Sequence, residues 1–304
     1  MSKFIKAASL EFDCHLAEIP TVPRKDVVFQ YLQKCLENSG PHELDLIVIC
    51  ENFAAHGLDN DSAEELADPG PFLQAYQVFA AERQCFVAGS IKLRENGRIF
   101  NSLVFIDSGG SILGAYHKVN LTQLEIDQGL SSGKQAVVFD TKIGRLGGII
   151  CFDLNFEEIR QEYVALKPDI LTFSSMYHGG LMQQTWAYEC RSFFISSLPR
   201  MGCGILDPFG QTVAQTHCYS KQAIATINID RAMVHLAYNQ EKFPKIRRKY
   251  QDEVLIDIPA NIGPAIIYSQ TDKRSAMDIV KEFELELLDD YFDRMIEANK
   301  RNRD

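Results

Sequence analysis

Two short apolar runs constrain this chain more than any other feature. Residues 44–50 read LDLIVIC and residues 146–151 read LGGIIC. A half-exposed strand alternates apolar and polar residues, so runs this apolar predict strands buried on both faces. Such strands need cover on each side, which points to an α/β architecture. The flanking pattern supplies the cover. Residues 22–38 place Val27, Val28, Tyr31, Leu32, Cys35 and Leu36 at helical spacing and stop at Gly40-Pro41. Residues 70–84 do the same with Phe72, Ala75, Tyr76, Phe79 and Ala80. Residues 4–12, 85–93, 99–107 and 111–119 read as strands, with hairpin turns at Asn96-Gly97 and Ser108-Gly109-Gly110.

The order then repeats. Strands are expected at 136–140 and 145–151, a helix at 156–167, a strand at 169–174, a helix at 181–192 and a strand at 193–198, with hairpins through Ile229. Two copies of one layer, each covered by its own helices, predict a four-layer αββα sandwich of two similar halves. Residues 1–270 are expected to form that one domain, and 271–304 a C-terminal helical extension. In the extension, Met277, Val280, Phe283, Leu287, Leu288, Tyr291, Phe292 and Met295 form an apolar stripe at helical spacing. It would dock on its own domain or on a second subunit.

Composition removes several classes of function. The 304 residues are 46% hydrophobic and 24% charged, enough for a large core without disulfides or metals. Asp and Glu number 41 against 31 Lys and Arg, a net charge of −10 that repels nucleic acid. The eight cysteines form no CxxC pair, which suits a reducing compartment. No signal-peptide stretch and no apolar run of about 18 residues is present, so a cytoplasmic protein off the membrane is expected. Residues 129–135, GLSSGKQ, lack the spacing and the hydroxyl of a phosphate-binding loop. No HExxH, GxGxxG or GxSxG occurs, so no metal or cofactor is expected.

Three residues at strand ends carry chemistry. Cys151 closes LGGIIC, Glu51 follows LDLIVIC, and Lys118 ends the strand after Tyr116-His117. Each alone has an ordinary explanation: a small core residue, a turn cap, a solvated lysine. Together they form a unit, because a thiol needs a base to attack and an attacked carbonyl develops an oxyanion. Ligands also collect at the carboxyl ends of strands in α/β folds.

The three blocks resemble the nitrilase superfamily of carbon–nitrogen hydrolases. The glutamate block is Asp45-Leu46-Ile47-Val48-Ile49-Cys50-Glu51 and the lysine block Gly114-Ala115-Tyr116-His117-Lys118-Val119-Asn120-Leu121. The cysteine block runs from Gly144 to Asp153, followed by Phe156 and Glu158; Gly89-Ser90 and Asn101-Ser102 match similar family pairs. Cys50, His117 and Glu157 stand where the family often has Pro, Arg and Pro. The resemblance implies Glu51 as general base, Cys151 as nucleophile and Lys118 as oxyanion stabiliser, with Glu125 as the second glutamate. The backbone N–H of Phe152 would share the oxyanion, and Ser175, Met176 and Tyr177 would line the substrate pocket. The implied substrate is a small amide, an N-carbamoyl amine or a nitrile, cleaved through a thioester, in a homo-oligomer of two or more copies. An acyltransferase or a non-catalytic member of the same fold are the alternatives. Lys242, Lys245, Arg247, Arg248 and Lys249 form a basic cluster for a substrate carboxylate or, more simply, for solvent and ion pairs.

Overall fold

A computed structural model describes residues 3–11, 24–41, 43–55, 57–200 and 202–303. Phe12, Cys14, Val22 and Pro23 lie outside them. The chain falls into two compact units, one of residues 5–227 and one from Asn228 onward that also takes in Lys3 and Phe4.

In the first unit the chain runs β1 (Phe4–Leu10), α1 (Lys25–Glu37), β2 (Leu46–Val48), α2 (Pro71–Arg83), β3 (Phe86–Glu95), β4 (Arg98–Ile106) and β5 (Ile112–His117). After α3 (Gln123–Asp127) come β6 (Val138–Thr141), β7 (Gly144–Ile150), α4 (Glu157–Leu166), β8 (Ile170–Ser174), α5 (Leu181–Glu189) and β9 (Phe193–Ser197). β10 (Gly204–Leu206), β11 (Thr212–Gln215) and β12 (Gln222–Asn228) complete it. Two six-stranded sheets result, ordered β12-β1-β2-β3-β4-β5 and β11-β10-β9-β8-β7-β6. β1, β2 and β3 are parallel, as are β7, β8 and β9; β4-β5 and β10-β11 extend them as antiparallel hairpins. The expected αββα sandwich is therefore observed, with one addition. β6 opens the second half and pairs with β7 as the order of elements suggested, whereas β12 follows β11 in the chain but crosses to join β1 in the first sheet.

The apolar faces explain the layers. α1 buries Val28, Tyr31, Leu32 and Leu36, and α2 buries Phe72, Leu73, Tyr76, Phe79 and Ala80. Each of the Val, Leu and Phe side chains among them contributes about 1.5–3 kcal/mol on leaving water. Pro71 sits in the first turn of α2, and the Glu64 carboxylate caps it by accepting from Phe72 N (2.9 Å) and Leu73 N (2.8 Å). On the other sheet α4 buries Ile159 and Tyr163 while α5 buries Trp186. Gly147-Gly148 in β7 is a steric requirement. A Cβ on Gly148 would meet Leu103 and Phe105 at 2.6 and 2.7 Å, and one on Gly147 would meet Tyr163 and Leu171 at 2.8 and 2.9 Å. β7 is thus pressed from both faces, as its composition foretold. Buried hydroxyls bridge the sheets: Ser174 Oγ donates to Ile49 O at 2.7 Å and Ser9 Oγ to Ser196 O.

The second unit holds β13 (Arg231–His235), α6 (Phe243–Tyr250), β14 (Val254–Asp257), β15 (Pro264–Ser269), α7 (Ala276–Glu282) and α8 (Leu288–Arg301). Its antiparallel sheet is ordered β13-β15-β14, and Val234, Phe243, Ile246, Ile267 and Ile279 fill its core. The break expected after residue 270 falls inside this unit, between β15 and α7. Only Ile229 and Asp230 separate β12 from β13, so no linker marks the boundary in the sequence. The C-terminal apolar stripe is split over two helices. Glu284 takes φ +50°, Leu285 N bonds Val280 O at 2.9 Å, and Leu287 bridges to Val234 before α8 starts. Among the described residues no helix is long and apolar enough to cross a membrane.

Candidate active site

β2 ends at Val48, and the chain keeps its course beside β3 through Ile49 N to Ala88 O (2.9 Å). This delivers Glu51 into the interior, 2% exposed. The turn is made by Asn52, at φ +56°, whose N–H donates to Ser90 Oγ at 2.9 Å. A lone buried carboxylate is expensive, and Glu51 is not alone. Its Oε1 accepts from Asn101 Nδ2 (2.8 Å) and Lys118 Nζ (3.1 Å), and its Oε2 from Met176 N (2.9 Å).

Lys118 follows β5, with its N–H on Asn101 O at 2.9 Å. The side chain is 1% exposed, and its three protons are committed: Glu51 Oε1 at 3.1 Å, Glu125 Oε1 at 3.0 Å and Glu125 Oε2 at 2.8 Å. Burial alone would lower the ammonium's pKa, but Glu51, Cys151 and Glu125 outweigh it and hold the pKa above the ordinary value. Glu125 is placed by a capping box. Thr122 caps α3, and Glu125 Oε2 accepts from Thr122 N (2.8 Å) and Oγ1 (2.9 Å). Burial pushes this carboxyl up, yet Lys118, Asn101 and Thr122 together leave it below its ordinary value. The Thr-x-x-Glu spacing was the available sequence signal for this position.

Cys151 is the first residue after β7 and takes φ +46°, a left-handed conformation costly for a side chain with a Cβ. Asp153 holds this elbow. Its Oδ2 accepts from Tyr116 OH (2.8 Å) and Ile150 N (3.3 Å), and its Oδ1 from Asn120 N (2.7 Å) and Nδ2 (3.1 Å). Tyr116 and Asn120 flank Lys118, so one buried carboxylate ties the cysteine turn to the lysine segment. Burial raises the Asp153 pKa to about 6 against those hydrogen bonds. Burial and then Glu51 push the Cys151 thiol up to about 12, with Lys118 opposing.

Asn101 joins the charged groups. Its Nδ2 donates to Glu51 Oε1 and Glu125 Oε1, both at 2.8 Å, while its peptide oxygen holds Lys118 N. Its Oδ1 is buried without a hydrogen-bond partner among the described residues. Sequence reading noted Asn101 as a family pair and assigned it no role. Asp153 was likewise read only as part of the cysteine block.

A cleft of about 690 Å³ opens here, lined by Glu51, Asn52, Leu58, Asn60 and Lys92, by Lys118, Thr122, Glu125 and Gln128, and by Cys151 and Met176. The four expected catalytic residues and Met176 are therefore brought together. The other expected pocket residues stand beside Cys151 without being among the residues that line the cleft. The Phe152 ring packs edge-on against Phe156 at 5.1 Å while its backbone N–H, the group expected at the oxyanion, directly follows Cys151; Ser175 is buried within hydrogen-bonding reach of the Cys151 thiol with its Oγ on Tyr177 O; and Tyr177 OH accepts from Asn155 at 2.9 Å. The basic cluster lies on and beside α6, where Lys249 pairs with Glu282 and Lys242 donates to Glu284 O (2.6 Å); it is not among the cleft residues. Trp186, Glu189 and Arg191 serve packing and pairing: Trp186 Nε1 donates to Leu154 O (2.8 Å), Glu189 pairs with Arg160 (2.6 Å) and Arg191 donates to Tyr188 O.

Comparison with known proteins places the chain in a family. The family model described as carbon-nitrogen hydrolase matches residues 17–238. A protein of Schizosaccharomyces pombe named as a hydrolase is 23% identical over 251 residues, covering 73% of this chain and 75% of its own. The omega-amidase of Homo sapiens is 23% identical over 216 residues, 62% of this chain and 77% of its own. Among solved structures, a CN-hydrolase superfamily protein of Xanthomonas campestris superposes with TM-score 0.63 at 18% identity, covering 81% of this chain and 97% of its own.

Proposed function

The chain belongs to the carbon–nitrogen hydrolase family, and on that premise we propose that it is a cysteine-dependent amidase acting on a small amide. One observation carries the reading: Glu51, Lys118 and Glu125, linked through Asn101, share a cleft with Cys151. The name of the human relative favours an amide over a carbamoyl amine or a nitrile.

With its pKa near 12 the thiol is neutral at physiological pH, so the proton leaves as attack proceeds. Glu51 accepts it while the sulfur bonds to the amide carbon. Once protonated, Glu51 holds Lys118 less strongly, which frees an N–H for the developing oxyanion. The same proton passes to the leaving nitrogen, the C–N bond breaks, and ammonia departs from a thioester on Cys151. Glu51 then takes a proton from water as its oxygen adds to the thioester carbon, the C–S bond breaks to release the acid, and the proton returns to the sulfur. The sum is amide plus water giving acid plus ammonia. Glu125 keeps Lys118 aimed throughout. A homo-oligomer belongs to the same proposal, and a monomer mass in light scattering removes it.

The test is ammonia release over a panel of primary amides, N-carbamoyl amines and nitriles. A primary amide is expected to release ammonia with wild type and none with Cys151→Ala. Intact mass spectrometry of Glu51→Gln with that amide should show an acyl adduct on Cys151. Full turnover by Cys151→Ala overturns the reading. Acyl transfer to an added amine in preference to water replaces hydrolase by acyltransferase.

A further inference from the structure

Lys118 is fully committed, but a second lysine in the cleft is not. Lys92 lies in β3 directly opposite Asn101 of β4. Residues so paired project from the same face with Cβ atoms about 4.5–5.5 Å apart, so Lys92 stands on the face that presents Asn101 to the two glutamates. Its side chain lines the cleft. Two of its three protons are placed on neutral oxygens, Leu58 O at 2.8 Å and Asn60 Oδ1 at 3.3 Å. Among the described residues no carboxylate comes within ion-pair distance of it. Asp59 is the nearest opposing charge, but it is exposed and its Oδ1 accepts from Asp61 N at 3.1 Å. Burial lowers the ammonium's pKa despite Asp59, which marks a cation short of a counter-charge.

We infer that Lys92 is a specificity residue: its ammonium takes a carboxylate carried by the substrate at the end away from the amide. The inference rests on the amidase reading of the same cleft. Asn60 supports it, because its Oδ1 accepts from Lys92 while its Nδ2 donates to Gln128 O at 2.8 Å, so the residue that holds the lysine is itself held by a second cleft residue. The remaining Lys92 proton then makes a charge-assisted hydrogen bond to a substrate carboxylate. The substrates selected are monoamides of dicarboxylic acids, in preference to neutral amides of similar length.

The experiment compares glutaramate with pentanamide and succinamate with butanamide. Wild type should prefer the charged member of each pair in kcat/KM. Lys92→Met should lower that ratio about 10- to 100-fold, and Lys92→Arg should retain most of it. Lys92→Gln, which keeps a donor for Leu58 O, serves if the methionine variant fails to fold. A ratio unchanged within twofold in the folded variant overturns the inference and leaves the amidase reading standing. A turnover-free arm titrates glutarate into wild type and variant by calorimetry. Tenfold or greater weakening by the substitution supports the anion subsite even if no amide is hydrolysed, which would sink the amidase reading instead. Equal affinity, or binding to neither protein, overturns the subsite.

Discussion

The two halves of the first unit have the same scaffold and opposite chemistry at matching positions. Three parallel strands, an antiparallel pair and a sixth edge strand occur in each, β12 beside β1 and β6 beside β7. The residue after β5 is Lys118; after β11 it is the uncharged Thr216, whose Oγ1 accepts from Gly202 N at 3.2 Å. Three residues past β2 stands Glu51, and three past β8 stands Tyr177. The residue after β7 is Cys151, whereas after β1 it is Glu11, paired with Lys221 at 2.6 Å. The first half thus contributes the charges and the second the thiol and the Met176 N–H. The fold offers equivalent strand ends on both sides. What makes one of them a site is which ends carry a carboxylate, an ammonium and a thiol within reach of one another.

That contrast can be broken at its strongest point first. Cys151→Ala removes the second half's contribution and should lower turnover roughly ten-thousand-fold or more while circular dichroism shows the fold retained. Lys118→Met strips the first half of its cation and leaves the buried Glu51 and the half-buried Glu125 without their shared ammonium. We expect roughly a 10²–10³-fold loss of kcat and about 3–5 kcal/mol less stability in denaturant titration. Asn101→Ala releases both glutamates at once; turnover should drop about 10- to 100-fold with the acid limb of the pH–rate profile displaced.

Asp153 joins the halves, and its test is a slope. Its folded pKa, about 6, lies above the ordinary 3.8, so the folded state binds this proton more tightly. The stability it contributes is present at low pH and is lost as pH rises through about 6. Asp153→Asn should remove that decline, seen as a flatter dependence of unfolding free energy between acid and neutral pH. An unchanged slope would show that the aspartate is not the group responsible. The smallest effect is expected at the matching position of the second half. Thr216→Ala should cost about 1 kcal/mol or less and leave kcat/KM within twofold. A large catalytic loss there would end the contrast between the halves.

Much of this was legible before folding. LDLIVIC and LGGIIC announced strands buried on both faces, and Glu51 and Cys151 stood out because a polar group ends each run. The helices over the sheets were visible as 3.6-residue stripes. The crossing of β12 to β1 was not, because a strand's own pattern says which face is buried and nothing about which strand it will pair with. The second unit's sheet was missed for a related reason: β13, β14 and β15 are short, and β12 passes into β13 with no linker between them.

By itself, the sequence determined the α/β layering and the three strand-end residues, since burial periodicity and an abrupt polar end are local properties. Only the tertiary structure decided that Asn101 bridges two glutamates, that Asp153 staples the cysteine elbow to Tyr116 and Asn120, and that Lys92 lies opposite Asn101 on the cleft face. Those relations depend on register between strands and on contacts between residues far apart in the chain. Hydrogen bonds to a buried charge form where packing brings donor and acceptor together, whatever their separation in sequence.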